Sequence, residues 1–366
     1  MTVAEFDHLV YVRVFEGCNL HCQHCFIPAN PKRLQHADIA RLPEALASRI
    51  PHGQRVLVQW HGGEPTLLGV DWLRDAIAIL SADSRYDWRH GIQTNLLQYD
   101  AAWGVLFKER FGGEIGVSWD PGIRWTARND PTSHVKFEAL FWPRVAAALA
   151  DGLDISLVVT GTRFFFETYP NPLDFFAMLT ARGIRRVHIE RITKTGAARQ
   201  NWESLGLDNR QWSHHMGRFA RAYLQWRRQA SAGNVPPLFV SPLDGLFTSV
   251  GKLSQDDAQG YGCLSGQCDT RFHTYDAQGY KAGCTALTAE VDNPRQQVAP
   301  IVFHAPAETR ATRTASCEGC RYRKICSSGC LATPKMDHSG ECSGGFQLFS
   351  VVDQLQPLWR KENLHE

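Results

Sequence analysis

Three cysteines stand close together near the start of the chain, Cys18, Cys22 and Cys25 in "GCNLHCQHCF" (Gly17–Phe26), with His21 and His24 between them. Thiols at such short spacing support three chemistries. A zinc ion would take all three, with a histidine as fourth ligand. A group of reactive thiols would need their ionisation to be favoured locally. An iron–sulfur cluster held by only three thiolates would keep one iron open. That open iron suits a small molecule that offers an amine and a carboxylate side by side. The loop by itself leaves all three open.

The remaining eight of the eleven cysteines lie between Cys263 and Cys342, and none lies between Cys25 and Cys263. Buried structural cysteines would be scattered, whereas clusters at short fixed spacings indicate metal ligands. No basic stretch followed by an apolar one opens the chain, so a reducing cytoplasmic setting is expected, in which disulfides are not. Eight thiols make two complete four-thiolate sites, which suit zinc ribbons and iron–sulfur clusters alike.

Regular elements must hold these groups. Short segments rich in β-branched and aromatic residues recur at His8–Phe15, Arg55–Trp60, Trp88–Asn95, Glu114–Trp119, Leu153–Thr160 and Ile184–Glu190. Helical stretches are predicted at Ala37–Ile50, Val70–Ala82 and Phe137–Ala150, and a longer one at Asn209–Arg228. Six strand–helix repeats imply an α/β fold: a partial (β/α)6 TIM-like barrel on a parallel sheet, with functional loops at the C-terminal ends of the strands. There the sequence places the three-cysteine loop, then "HGGEP" (His61–Pro65), "QTN" (Gln93–Asn95) and "SWD" (Ser118–Asp120). Two glycines let a backbone approach a ligand closely. Ala230–Gly245 reads as a linker, and the chain beyond it as loop-rich, short of apolar residues and held together by its metal sites. The expected division is 1–235 barrel, 236–350 cysteine-rich domain and 351–366 tail. A net charge of +2 gives no reason to expect nucleic acid, and no apolar run approaches the ~20 residues of a membrane span.

The C-x3-C-x2-C loop, HGGEP and QTN at these intervals resemble the radical S-adenosylmethionine enzymes, over about residues 8–230. The pattern C-x10-G-x4-C, from Cys268 through Gly279 to Cys284, is followed by Cys317-x2-Cys320-x5-Cys326-x3-Cys330 and Cys342. It resembles the SPASM extension of the peptide-modifying and sulfatase-maturing members. The resemblance implies a 4Fe–4S cluster on Cys18, Cys22 and Cys25 whose open iron chelates S-adenosylmethionine. It implies Gly62, Gly63 and Glu64 beside the methionine amine, Asn95 and Ser118 at ribose or carboxylate, Arg128 at the carboxylate and Phe26 near adenine. His21 and His24 then read as exposed loop residues rather than ligands. It further implies two auxiliary 4Fe–4S clusters, on Cys263, Cys268, Cys284 and Cys330, and on Cys317, Cys320, Cys326 and Cys342. Fully ligated clusters would conduct electrons rather than bind substrate, with a flavodoxin or ferredoxin as reductant.

One position departs from the sulfatase maturases. Where they carry a general-base Asp after the cysteine of G-x4-C, this chain has Thr285, whose hydroxyl is a poor base. Asp120, Glu190, Tyr261 and Tyr275 remain as candidate catalytic groups. The polar loop Asp120–His134, carrying Arg124, Trp125 and Arg128, is either part of a substrate groove or an ordinary surface crossover. With 17 residues before Cys18, recognition of a peptide leader is expected from the barrel, the tail or a separate leader-binding protein, or not at all. The expected activity is an oxidative cross-link in a ribosomally made peptide. The alternatives are formylglycine formation, radical modification of a small molecule, or a non-catalytic zinc scaffold.

Overall fold

The computed structural model describes residues 6–27, 32–268, 270–288 and 306–363; the last residues of the expected tail, 364–366, lie outside this set. The chain divides into two units. The first holds residues 1–157, 195–197 and 268–298, the second 158–194, 198–267 and 299–366.

The first unit is built on a sheet. Its strands are β1 (His8–Phe15), β2 (Arg55–Gly62), β3 (Asp87–Thr94) and β4 (Glu114–Ser118). Strand β5 (Asp154–Gly161) runs out of this unit into the second, which carries β6 (Arg186–Arg191) and β7 (Phe239–Ser241). The cysteine-rich region returns two strands to the first unit, β8 (Phe272–Asp276) and β9 (Gly279–Ala282). The order there is β4-β3-β2-β1-β8-β9. β8 runs parallel to β1, with Tyr11 opposite Thr274, and β9 turns back antiparallel. The sheet does not close, because β9 ends it. An α/β fold on an open parallel sheet is thus what the strand–helix alternation leads one to expect.

Alternation decides what each strand face meets. Val10, Val12 and Val14 on β1, with Val56, Val58 and Trp60 on β2, are fully buried, as expected of a parallel sheet covered by helices. The other face of β1 carries Arg13, which pairs with Asp276 of β8 and lies 3.3 Å from Glu16. Lys281 of β9 donates to both oxygens of Asp276 at 2.6 and 2.5 Å. A buried charge survives only when it is paired in this way.

The second unit pairs β6 with β7 and packs helices around aromatic side chains. Phe165, Phe176, Phe219 and Tyr223 are buried at its centre. The helix Asn209–Ser231 starts on a capping box, in which Asp208 accepts from Gln211 N at 2.7 Å and Gln211 reaches back to Asp208 N. The C-terminal region is not a mere assembly of loops. The helix Phe346–Asn363 buries Phe349, Val352 and Trp359, and Trp359 stacks on Phe247 at 4.4 Å. Tyr322 stacks on Phe349 at 5.1 Å. The cysteine-rich region therefore has apolar material of its own, contrary to the sequence expectation.

Candidate functional site

The three-cysteine loop leaves the C-terminal end of β1 and is held by backbone bonds on three sides. Gly63 N donates to Phe15 O at 2.8 Å and Glu64 N to Gly17 O at 3.1 Å. His21 N donates to Trp125 O at 2.8 Å and Gln23 N to Ile123 O at 3.0 Å. Ala197 N donates to Cys25 O at 2.8 Å. The glycines of HGGEP make the first of these approaches possible. A Cβ on Gly62 would lie 2.3 Å from Phe15 O, and one on Gly63 2.3 Å from Gly17 O. The close approach they permit is to the chain just ahead of Cys18.

Glu64 fastens the next layer. Its carboxylate is buried and accepts from Thr66 N (3.0 Å), Thr66 Oγ1 (2.6 Å), Thr94 Oγ1 (2.7 Å) and Asn95 N (2.7 Å). Burial still raises its pKa above the usual carboxylate value, against these bonds. Glu64 thereby ties the end of β2 to the end of β3. Asn95, so held, donates from Nδ2 to Asn19 Oδ1 at 2.7 Å and lies 3.9 Å from Cys18 Sγ. Burial, then the charge of Glu64, pushes the Cys18 thiol up to about 12. Cys22 and Cys25 are also raised, by burial first.

The loop after β4 supplies the cation. Asp120 and Arg124 are both buried, and Arg124 gives Nε and Nη2 to one Asp120 oxygen at 2.8 and 2.6 Å. Its Nη1 points to Cys22 Sγ at 3.7 Å. Burial opposes the charge of Arg124, but Asp120 and the Cys22 sulfur outweigh it and hold the guanidinium ionised. His24 Nε2 lies 3.3 Å from Asp120. His24 is therefore partly buried against a carboxylate, not an exposed loop residue, and burial lowers its pKa. Sequence reasoning named Arg124 only as a groove residue. No spacing rule reveals that it faces a thiol.

The other sequence candidates fall as follows. Ser118 accepts from Gln93 Nε2 at 2.7 Å. Phe26 stacks on His61 with ring centres 6.4 Å apart. Arg128 is exposed, and the guanidinium beside the thiols is that of Arg124. Asp120 is committed to Arg124 and His24 rather than held as a free base. Tyr275 is buried and its hydroxyl donates to Asp38 O at 2.9 Å, on the helix His36–Ala47. Tyr261 accepts from Ser241 Oγ at 3.3 Å within the second unit, where Glu190 stands partly buried on β6. Thr285 is buried with its hydroxyl unpartnered.

Four tail thiols share one neighbourhood in the second unit. Burial pushes Cys326 up to about 12, with Cys342, Cys320 and Cys317 adding to the shift. A Cβ on Gly344 would lie 2.1 Å from Cys326 Sγ, so only glycine lets the chain pass. Around them Asn209 donates to Glu341 O (2.9 Å) and Pro334 O (3.3 Å) and accepts from Arg191. Arg191 also donates to Ser343 O at 2.9 Å. Glu341 accepts from Cys342 N and Phe346 N at 2.9 and 3.0 Å. Of the other tail cysteines, Cys263 and Cys330 belong to the second unit, Cys268 and Cys284 to the first. Among the described residues no three His, Cys, Asp or Glu side chains converge tightly enough for a single metal ion. All eleven thiols are free of disulfides. A thiolate-only donor set next to a guanidinium fits an iron–sulfur cluster, whose sulfur ligands stand further apart than those of one ion.

No family model matches the chain. Two serine-type anaerobic sulfatase-maturating enzymes match nearly all of it. That of Klebsiella pneumoniae is 23% identical over 383 residues, covering 97% of this chain and 90% of the relative. That of Klebsiella aerogenes is 25% identical over 376 residues, covering 97% and 88%. Among solved structures, native anSMEcpe with bound AdoMet and Cp18Cys peptide has a TM-score of 0.66 at 14% identity, covering 98% of this chain and 99% of that one. Streptococcus suis SuiB bound to precursor peptide SuiA has a TM-score of 0.55 at 14% identity, covering 89% and 72%. With the two cysteine motifs and the open parallel sheet, these similarities define a radical S-adenosylmethionine enzyme. Along nearly its whole length the chain is similar to maturases of that superfamily, and its cysteine-rich C-terminal part is similar to their SPASM-type domain. Among the described residues no helix is long and apolar enough to cross a membrane.

Proposed function

We propose that the protein binds S-adenosylmethionine at a 4Fe–4S cluster held by Cys18, Cys22 and Cys25 and oxidatively modifies a side chain of a peptide or protein. The observation that carries this reading is the three-thiol loop at the end of β1, braced by Glu64 and faced by Arg124. When bound, the cluster and cofactor supply a 5′-deoxyadenosyl radical that takes a hydrogen atom from the substrate. The chain's own residues bind and shield. Gly62 and Gly63 bring backbone groups beside Cys18, and Glu64 holds that segment in place through Thr66, Thr94 and Asn95. Asn95 and Ser118 offer polar groups to the cofactor's ribose or carboxylate, and Phe26, stacked on His61, offers an apolar face to adenine. Burial pushes the His61 pKa down to about 4, so its ring is neutral at physiological pH. The tail thiols would hold two further clusters, on Cys317, Cys320, Cys326 and Cys342, and on Cys263, Cys268, Cys284 and Cys330. A flavodoxin- or ferredoxin-type reductant would supply electrons, and eleven cysteines outside any disulfide suit the reducing cytoplasm.

Two finer readings divide on the product. Thr285, a buried hydroxyl where sulfatase maturases carry a base, favours a cross-link in a ribosomally made peptide. Similarity to two serine-type sulfatase maturases along 97% of the chain favours formylglycine. The first experiment is anaerobic reconstitution with iron and sulfide counts and a paramagnetic resonance spectrum with and without S-adenosylmethionine. About twelve irons, with one signal that responds to the cofactor, support three clusters; no iron in correctly folded protein overturns the reading. A sulfatase-derived serine peptide then separates the two products. A new aldehyde caught by a hydroxylamine probe means formylglycine, whereas loss of two hydrogens without an aldehyde means a cross-link.

A further inference from the structure

The segment after β4 is in register with the cysteine loop. Its Ile123 and Trp125 carbonyls accept from Gln23 and His21, the residues on either side of Cys22. Arg124, between those two acceptors, is thereby set opposite Cys22, and Nη1 points at its sulfur from 3.7 Å. The guanidinium cannot swing away freely, because Nε and Nη2 are both engaged by Asp120. His24 reaches the same carboxylate. The result is a row of sulfur, cation and anion.

We propose that Arg124 is a positioning residue that sets the reduction potential of the cluster held by Cys18, Cys22 and Cys25, with Asp120 as the opposing charge that limits its effect. The inference rests on the cluster reading above. An N–H group directed at a ligating sulfur, and a positive charge beside it, both favour the form of the cluster that carries one more electron. Burial strengthens the interaction by excluding water. Asp120 works in the opposite sense electrostatically, while fixing the fork of Arg124 in the plane that reaches the sulfur.

The test is a potentiometric titration of the reconstituted protein, following the signal that responds to S-adenosylmethionine, with iron counted in each variant. Arg124→Gln is expected to lower the midpoint, so that the reduced-to-oxidised ratio at the wild-type midpoint falls about tenfold, or about 59 mV for a one-electron couple. Asp120→Asn is expected to raise it. Arg124→Lys, which keeps the charge without the fork, is expected to fall between Arg124→Gln and wild type. General damage to the loop would move every variant the same way. The proposal is overturned if Arg124→Gln keeps the wild-type midpoint, or if it and Asp120→Asn shift in the same direction. Should Arg124→Gln fail to load iron, Asp120→Asn and Arg124→Lys decide: opposite displacements sustain the proposal, and equal ones or none overturn it. A wild-type protein without any signal that responds to S-adenosylmethionine would instead fail the function proposed above, before any variant is made.

Discussion

The three-thiol loop and the four-thiol neighbourhood of the tail are supported by different means. In the loop, backbone amides do most of the holding: Phe15, Gly17, Ile123 and Trp125 supply the acceptors. In the tail, buried side chains do it: Asn209, Arg191 and Glu341 bind the backbone around Cys342, and Cys326 is buried against Gly344. A loop carried by its backbone leaves side-chain positions around its sulfurs for something else to fill. A site sewn together by side chains has few positions to spare. Under the function proposed above, the first site would take a ligand and the second would stay closed.

Removing the thiols breaks the contrast most severely. Replacing Cys18, Cys22 and Cys25 together by alanine is expected to abolish 5′-deoxyadenosine formation and to cost about four irons, leaving the tail loaded. Chromatography of the nucleoside and an iron count check this. Loss of iron from both sites would mean that the two are not independent.

Asn209→Ala attacks the other side. It leaves two carbonyls without their donor and takes one acceptor from Arg191, and is expected to cost about 2–3 kcal/mol of stability, read from the denaturant midpoint, with iron retained in the loop. The same experiment on Glu64→Gln sets a donor against Asn95 N–H and is expected to cost about 1–3 kcal/mol, with weaker binding of S-adenosylmethionine. If Asn209→Ala empties the loop or Glu64→Gln leaves stability untouched, the division of labour fails.

Another effect is one of pH, spread over a range of pH rather than felt at one value. Burial pushes the Asp244 carboxyl up to about 6, although Tyr223, Val240 N and Arg227 all face it. Its folded-state value lies above the ordinary one. Its contribution is therefore complete at low pH and is lost as pH rises through about 6, about 3 kcal/mol in all. Asp244→Asn is expected to flatten that slope in denaturant titrations. In the first unit His61 has the opposite sign: its lowered pKa means that stability is lost as pH falls from its usual value towards about 4.

Much of the first unit was legible because it is locally encoded. The strand His8–Phe15 was expected at the bounds it has, and the helix predicted at Val70–Ala82 spans Val70–Ser81. The tail was not legible. β8 is five residues, "FHTYD", whose pairing partner lies more than two hundred and fifty positions away, and no window of sequence reports such a partner. The helix Phe346–Asn363 carries Pro357 inside it and follows two glycines, signals that ordinarily end helices. In the site, the types and spacing of the cysteines and of HGGEP pointed to the right loops. The choice between Arg124 and Arg128, four residues apart, rests on the path of one loop, which spacing does not encode.

The pairing of β1 with β8 has a consequence for the birth of the molecule. Leu9 and Val10 lie opposite Phe272 and His273, so β1 meets its second neighbour only after most of the chain has been made. At ~5–20 residues per second the ribosome needs roughly ten seconds to a minute to bridge that interval. Throughout it, an apolar strand edge beside the cysteine loop stands open to any passing strand. Synthesis of this enzyme should therefore depend on a chaperone that shields nascent strand edges, and slowing translation between β2 and β8 should lower the soluble yield.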